Sequence, residues 1–182
     1  MTPPACDILQ RARDVRLLVL DVDGVLTDGG LFYDAEGRIL KRFNVQDGLG
    51  IKLAQAAGLE LAVITGLDSP AVAHRVKELG IDEYHAGHLV KVDLLRAICG
   101  RKGLPLERTA YLGDDWVDAA PMRVVGLPMA VANAQPEILG LAAWISRAPG
   151  GQGAVREAIR FLLEAQGTLE GLWRTWLTGG GA

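Results

Sequence analysis

The chain predicts an α/β fold, a doubly wound parallel sheet with helices on both faces, in a single domain spanning residues 1–182. Short apolar runs bounded by polar residues recur at 17–20, 59–64, 109–112 and 127–131. Runs apolar at successive positions read as strands buried on both faces, the pattern of a parallel sheet covered by helices. Helical stripes separate the runs, and strand–helix alternation implies right-handed crossovers. A chain of this length buries a sizeable core without a second domain.

The first run, Leu17-Leu18-Val19-Leu20, turns at Gly24, and Gly29-Gly30 then opens a segment at 31–43 that reads as a β-hairpin around a Gly-containing turn. An isolated hairpin is marginal in water, so this one packs on its own domain or on another subunit. Asn44-Val45-Gln46-Asp47-Gly48-Leu49-Gly50 reads as a turn, followed by a helix over 51–57 that Gly58 ends. The second strand finishes in Thr65-Gly66, after which Ser69 as cap and Pro70 in the first turn open a helix to Leu79 and a stop at Gly80.

Glu83-Tyr84-His85 reads as a short strand, and 89–99 as a helix with Lys91 near its start. The run at 109–112 leads into Gly113-Asp114-Asp115-Trp116-Val117-Asp118, where three acids in five residues exceed what a helix cap needs, although Asp115 alone could serve as one. A strand at 127–131, a short helix at 135–141 and a last strand at Trp144-Ile145 complete the series. The tail, 147–182, starts with a glycine-rich loop and continues as a helix over 154–166 with Val155, Ala158, Ile159, Leu162 and Leu163 on one face. Leu169, Leu172, Trp173, Trp176 and Leu177 then have little domain left to cover them, and 179–182 reads as disordered. On this reading the tail closes a site, and cutting after Ala148 spares the sheet.

A net charge of -3 and scattered basic residues argue against a nucleic-acid surface and for small-molecule work. Cys6 and Cys99 form neither a metal pair nor a disulfide framework and read as inert thiols in a reducing compartment. The first residues lack an apolar signal core and no run is long enough to span a bilayer, so the expected location is the cytoplasm.

In open α/β sheets chemistry sits at the carboxyl ends of strands, where Asp21 and Asp23 fall, with period-two alternation pointing both to one side. Two carboxylates in one small space repel unless a cation or proton lies between them, and Mg²⁺, which favours oxygen ligands, is the natural cation. Other strand tips add Thr65, Gly66, Lys91 and Asp114. A bare Asp-x-Asp also occurs in glycosyltransferases and ordinary turns, Thr-Gly is commonly a turn, and a lone Lys91 is commonly solvated. Their joint occurrence, in order, at the ends of successive strands is what carries weight.

Asp21-Val22-Asp23-Gly24-Val25-Leu26-Thr27-Asp28, Thr65-Gly66, Lys91 and Gly113-Asp114-Asp115 with Asp118 together resemble the four motifs of the haloacid dehalogenase (HAD) superfamily. The resemblance implies a Rossmannoid core and a phosphatase in which Asp21 attacks phosphorus and Asp23 is the acid/base. It also implies that Asp21, Asp23 through its carbonyl, and Asp114 hold Mg²⁺, with Asp115 and Asp118 behind them. Thr65, Gly66 and Lys91 would bind phosphate. Only the hairpin separates Asp28 from Asn44, and core elements fill 65–114, so no cap domain is expected.

Phe43-Asn44-Val45-Gln46-Asp47-Gly48, Val90-Lys91 and 149–157 narrow the resemblance to the 3-deoxy-D-manno-octulosonate (Kdo) 8-phosphate phosphatases of lipopolysaccharide precursor synthesis. That family implies a sugar-acid phosphate substrate and a homotetramer with hairpins at its centre and tails reaching neighbouring sites. It implies substrate contacts from Asn44, Val45, Gln46, Asp47, Gly48, Lys52 and Arg75. Leu67 stands where that family usually carries Arg, and Ala86 where it often has Gln. Loss of a charged hydrogen-bonding partner weakens binding by about 1.5–3 kcal/mol if nothing replaces it. A sialic-type 9-phosphate is therefore an alternative substrate. A phosphorylated receiver domain would carry its key Asp on a later strand. A non-catalytic HAD-like oligomerisation module could dispense with the acids retained here.

Overall fold

The computed structural model describes residues 5–181. Helix α1 (Ala5–Asp14) precedes strand β1 (Leu17–Leu20), after which β2 (Phe32–Tyr33) and β3 (Ile39–Leu40) form the hairpin. Helix α2 (Val45–Ala56), β4 (Glu60–Ile64), α3 (Pro70–Leu79), β5 (Glu83–His85) and α4 (Val92–Lys102) follow. The chain continues through β6 (Thr109–Gly113), α5 (Ala119–Met122), β7 (Leu127–Ala130), α6 (Pro136–Leu141) and β8 (Trp144–Ile145), and closes with α7 (Ala154–Ala165) and α8 (Leu169–Leu177).

The six-stranded sheet runs β5-β4-β1-β6-β7-β8, parallel throughout, and the hairpin forms a separate two-stranded antiparallel sheet. The predicted α/β class and the absence of a cap are both met. All four residues of β1 are fully buried, and each large aliphatic side chain so placed contributes about 1.5–3 kcal/mol. Strand order reverses direction between β1 and β6, so a crevice opens at the carboxyl ends of those two strands.

Three readings of the sequence need correction. Segment 44–50 is not a turn: α2 starts at Val45, with the Asn44 side chain accepting a hydrogen bond from the Gln46 amide as its cap. Its internal glycines mimic a turn but are packing sites, Gly48 against Arg75 and Gly50 against the backbone of Arg156.

The tail is not an accessory. Val155, Ala158, Ile159, Leu162 and Leu163 are buried in the main core, and α7 lies along α2 and α1. The glycine-rich loop packs on this chain's own motif turn, where the Gly151 amide donates to the Val25 carbonyl and a Cβ on Gly150 would overlap the Gly24 carbonyl. Nor does the chain fray at residue 179, because Gly179 and Gly180 donate back to Trp176 and Thr175 and close α8.

Helix α8 has no buried residue, and Trp173, Trp176 and Leu177 remain exposed beside a groove of about 640 Å³ over α2 and α7. Cys99 is a buried free thiol in the hydrophobic core whose one hydrogen-bond partner among the described residues is the Thr109 hydroxyl, and the Cys6 side chain lies outside the described residues.

Candidate active site

The residues following β1 and β6 meet in the crevice. Asp21, which extends β1, is 3% exposed, and Asp114 follows the last residue of β6. One carboxylate oxygen from each of Asp21, Asp114 and Asp118 lies within 4.8 Å of the other two. The turn after Asp23 makes this possible: Gly24 has φ +89°, and a Cβ there would sit 2.0 Å from Asp114 Oδ2. A side chain at that position would occupy the space of the carboxylate and force a backbone conformation that L residues avoid.

Lys91, whose side chain is fully buried at the start of α4, bridges the cluster at 2.8 Å from Asp21 Oδ1 and 2.7 Å from Asp118 Oδ1. Burial works against its charge, but the two carboxylates outweigh that cost and hold its pKa above the ordinary lysine value. Asp118 is saturated: Oδ1 also accepts from the Tyr111 hydroxyl at 2.7 Å, and Oδ2 accepts from the Asp114 amide at 3.0 Å. Asp115 caps the short helical turn at 116–118 in a capping box with Asp118, so the plain capping role considered for it is real.

Asp21 and Asp114 are in the opposite condition. Burial, then the negative charge of Asp118, raises Asp21 to about 7, and burial followed by Asp21 and Asp118 raises Asp114 to about 8. Oδ1 of each is buried without an aligned hydrogen bond, even though the Lys91 ammonium is close to Asp21, and the Thr65 hydroxyl at the tip of β4 is likewise unpartnered. Buried polar groups are almost always satisfied. Two crowded carboxylates, of which Asp114 has an oxygen with no partner and Asp21 has only Lys91, therefore suit a hard cation with oxygen ligands, and the unpartnered Thr65 hydroxyl suits an anion beside it.

Asp23 does not join the carboxylate cluster as its spacing implied. Its Oδ1 is bound by the Lys41 ammonium, which arrives from the end of the hairpin with a fully buried side chain. The polypeptide turns before period-two alternation can place the two side chains together. Lys41 was missed because one lysine in a mixed apolar and basic hairpin carries no distinguishing signal. Tyr111 was missed because in a strand it reads simply as core.

The residues assigned to substrate by resemblance are scattered. Asn44, Val45 and Gln46 stand at the start of α2, with Val45 81% exposed. Asp47 turns inward: its buried carboxylate accepts from the Arg156 amide at 2.7 Å and the Gly153 amide at 3.3 Å, fixing the start of α7. Burial raises its pKa against those donors. Gly48 is buried against Arg75, whose guanidinium pairs with Glu78. Lys52 donates to the Leu79 carbonyl at the end of α3 remote from the strand tips. The structure thus brings Asp21, Thr65, Lys91, Asp114 and Asp118 together, with Asp23 beside them, and leaves Lys52 outside.

A haloacid dehalogenase-like hydrolase family model matches residues 83–159. The chain is 41% identical over 168 residues, 92% of its length, to the 3-deoxy-D-manno-octulosonate 8-phosphate phosphatase of Escherichia coli K12, covering 89% of that protein. The crystal structure of the Yersinia pestis phosphatase of the same name superposes with a TM-score of 0.90 at 40% identity, over 93% of this chain and 91% of that one. The Moraxella catarrhalis phosphatase, solved in complex with magnesium, phosphate and KDO, gives a TM-score of 0.93 at 36% identity, over 95% of this chain and 99% of that one. The chain belongs to the haloacid dehalogenase-like hydrolases, in the family of the 3-deoxy-D-manno-octulosonate 8-phosphate phosphatases.

Proposed function

We propose that this chain is a Mg²⁺-dependent phosphomonoester hydrolase that converts Kdo 8-phosphate to Kdo and phosphate through an aspartyl-phosphate on Asp21. The observation that carries the reading is the unpartnered Asp114 Oδ1 and Thr65 hydroxyl beside the buried Asp21–Lys91 ion pair, in a chain whose relative was solved with magnesium, phosphate and KDO. Asp21 attacks phosphorus, and the ester P–O bond breaks with its electron pair leaving on the sugar oxygen. Asp23 gives that oxygen a proton, then takes one from the water that cleaves the aspartyl-phosphate. Lys91 offsets charge on the phosphoryl group, and the Thr65 hydroxyl and Gly66 amide bind its oxygens. Asp118 and Tyr111 hold Lys91 in place, and Asp115 fixes the turn that presents Asp114. Mg²⁺ held by Asp21, Asp114 and the Asp23 carbonyl would screen the repulsion between the carboxylates and a phosphate dianion.

The exposed start of α2, Asn44 to Gln46, is the part of the 44–48 segment suited to meeting the sugar acid, and Asp47 supports it by locking α2 to α7. The exposed Phe32, Tyr33 and Leu40 of the hairpin support a contact between subunits, the homotetramer itself rests on the family resemblance, and action as one domain is supported by the single six-stranded sheet. No helix among the described residues is long and apolar enough to cross a membrane, and cytoplasmic location rests on the family resemblance. One second reading, a sialic-type 9-phosphate, rests on exposed Leu67, which offers no guanidinium to the carboxylate both sugar acids carry and so does not select Kdo 8-phosphate.

Metal removal tests the site without turnover. Asp21 and Asp114 have folded pKa values of about 7 and about 8, above their unfolded values, so their contribution to stability is present at low pH and is lost as pH rises through 7 to 8. Bound Mg²⁺ favours the ionised forms and reverses that trend. Mg²⁺ at one fixed concentration, about 100 times its dissociation constant at pH 8, should therefore raise Tm by about 5–10 °C at pH 8 and by less at pH 5.5, where protonation weakens its binding. An equal shift at both pH values, measured calorimetrically, would contradict a metal held by these two groups. Rapid quenching with labelled substrate should place the phosphoryl group on Asp21 in a peptide map.

A further inference from the structure

The hairpin and the acid/base are joined by one contact. Lys41 follows β3 directly, its side chain is fully buried, and its ammonium ends on Asp23 Oδ1, the only ion pair it makes among the described residues. Burying an unpaired ammonium is costly, so the hairpin's seating and the orientation of the Asp23 carboxylate stabilise each other. Asp23 keeps about a quarter of its side chain exposed and has no other side-chain hydrogen bond among the described residues, so one oxygen is tethered and the other is left for the leaving group. Lys91 cannot stand in, because it is committed to Asp21 and Asp118.

The geometry points to Lys41 as a positioning residue for phosphoryl transfer: it holds Asp23 Oδ1 so that the second oxygen faces the departing ester oxygen. In that step the bond from Asp21 to phosphorus forms and the ester P–O bond breaks. The electron pair stays on the leaving oxygen, which takes the Asp23 proton. The inference rests on the acid role given to Asp23 above, and the test separates the two.

A series of aryl phosphates of similar shape and increasing leaving-group pKa reads the step directly, because kcat/KM reports only events up to release of the alcohol. A good leaving group needs little help from an acid, and a poor one needs most of it. Lys41→Met should lower kcat/KM by about 100-fold for phenyl phosphate and by less than about 10-fold for p-nitrophenyl phosphate, steepening the dependence on leaving-group pKa as Asp23→Asn does. Lys41→Arg, which keeps a cation on Oδ1, should return the slope toward the parent value and covers the case in which Lys41→Met does not fold. A Lys41→Met or Lys41→Arg protein that loses activity equally across the series, while Asp23→Asn steepens it, would overturn the positioning role. An unchanged slope in Asp23→Asn would instead overturn the acid role itself.

Discussion

Asp21→Asn should abolish phosphate release, by at least about 10⁴-fold or roughly 5.5 kcal/mol of transition-state stabilisation, while leaving a folded protein. The amide keeps the shape of the carboxylate but cannot form the acyl phosphate by attack at phosphorus. Stability should hold within about 1 kcal/mol, because two opposed effects accompany the change. The substitution removes a buried carboxyl that burial, then the charge of Asp118, lifts to about 7, and it removes one of the two anions beside Lys91. Thermal unfolding alongside an assay for released phosphate checks both halves. Measurable turnover in the variant, with its sequence verified by mass spectrometry, would remove Asp21 from the role of nucleophile.

Truncation after Ala148 should give the largest loss of stability. The deleted segment carries the buried Val155, Ile159, Leu162 and Leu163, which at about 1.5–3 kcal/mol each account for about 6–12 kcal/mol of burial. A domain of this kind is stable by only about 5–15 kcal/mol. The cut also exposes the apolar side of α2 and leaves Asp47 without the amides of Gly153 and Arg156. The shortened chain should be insoluble or lack a cooperative unfolding transition. A truncated protein with a sharp transition and altered kinetics alone would restore the view of 147–182 as an accessory. Removing only α8, which buries no residue, should by contrast leave the sheet cooperative.

What the sequence conveyed and what it withheld follow from the physics of each element. Buried parallel strands are continuous apolar runs, so β1, β4, β6 and β7 were visible, and catalytic groups at strand tips stand where those runs end. Asp21, Thr65 and Asp114 stand out for that reason, whereas Lys91, at the start of α4, stands out only through its joint occurrence with them. The direction of a side chain beyond the strand end was not visible, which is why Asp23 was placed with Asp21 when its carboxylate belongs to Lys41. Helix α1, with the sequence ACDILQRARD, escaped because charged residues interrupt a short stripe that acquires meaning only once it has α7 to pack on. Gly48 and Gly50 disguised the start of α2, since a glycine that admits a neighbouring helix looks the same in sequence as one that makes a turn.

The departures from the family pattern, Leu67 and Ala86, lie outside the cluster of Asp21, Lys91, Asp114 and Asp118 and bear on the proposed substrate. Leu67 is exposed next to Gly66, and exposed Leu89 and Val90 precede Lys91, so the surroundings of the proposed phosphate-binding tip carry apolar surface where a sugar acid presents carboxylate and hydroxyls. The most direct measurement is therefore kcat/KM for phosphate release with Mg²⁺ across Kdo 8-phosphate, sialic-type 9-phosphates, hexose phosphates and an aryl phosphate. Kdo 8-phosphate should exceed every other compound, which would mean that other residues compensate for Leu67. Preference for a different sugar acid, or activity on the aryl phosphate alone, would contradict the assigned substrate.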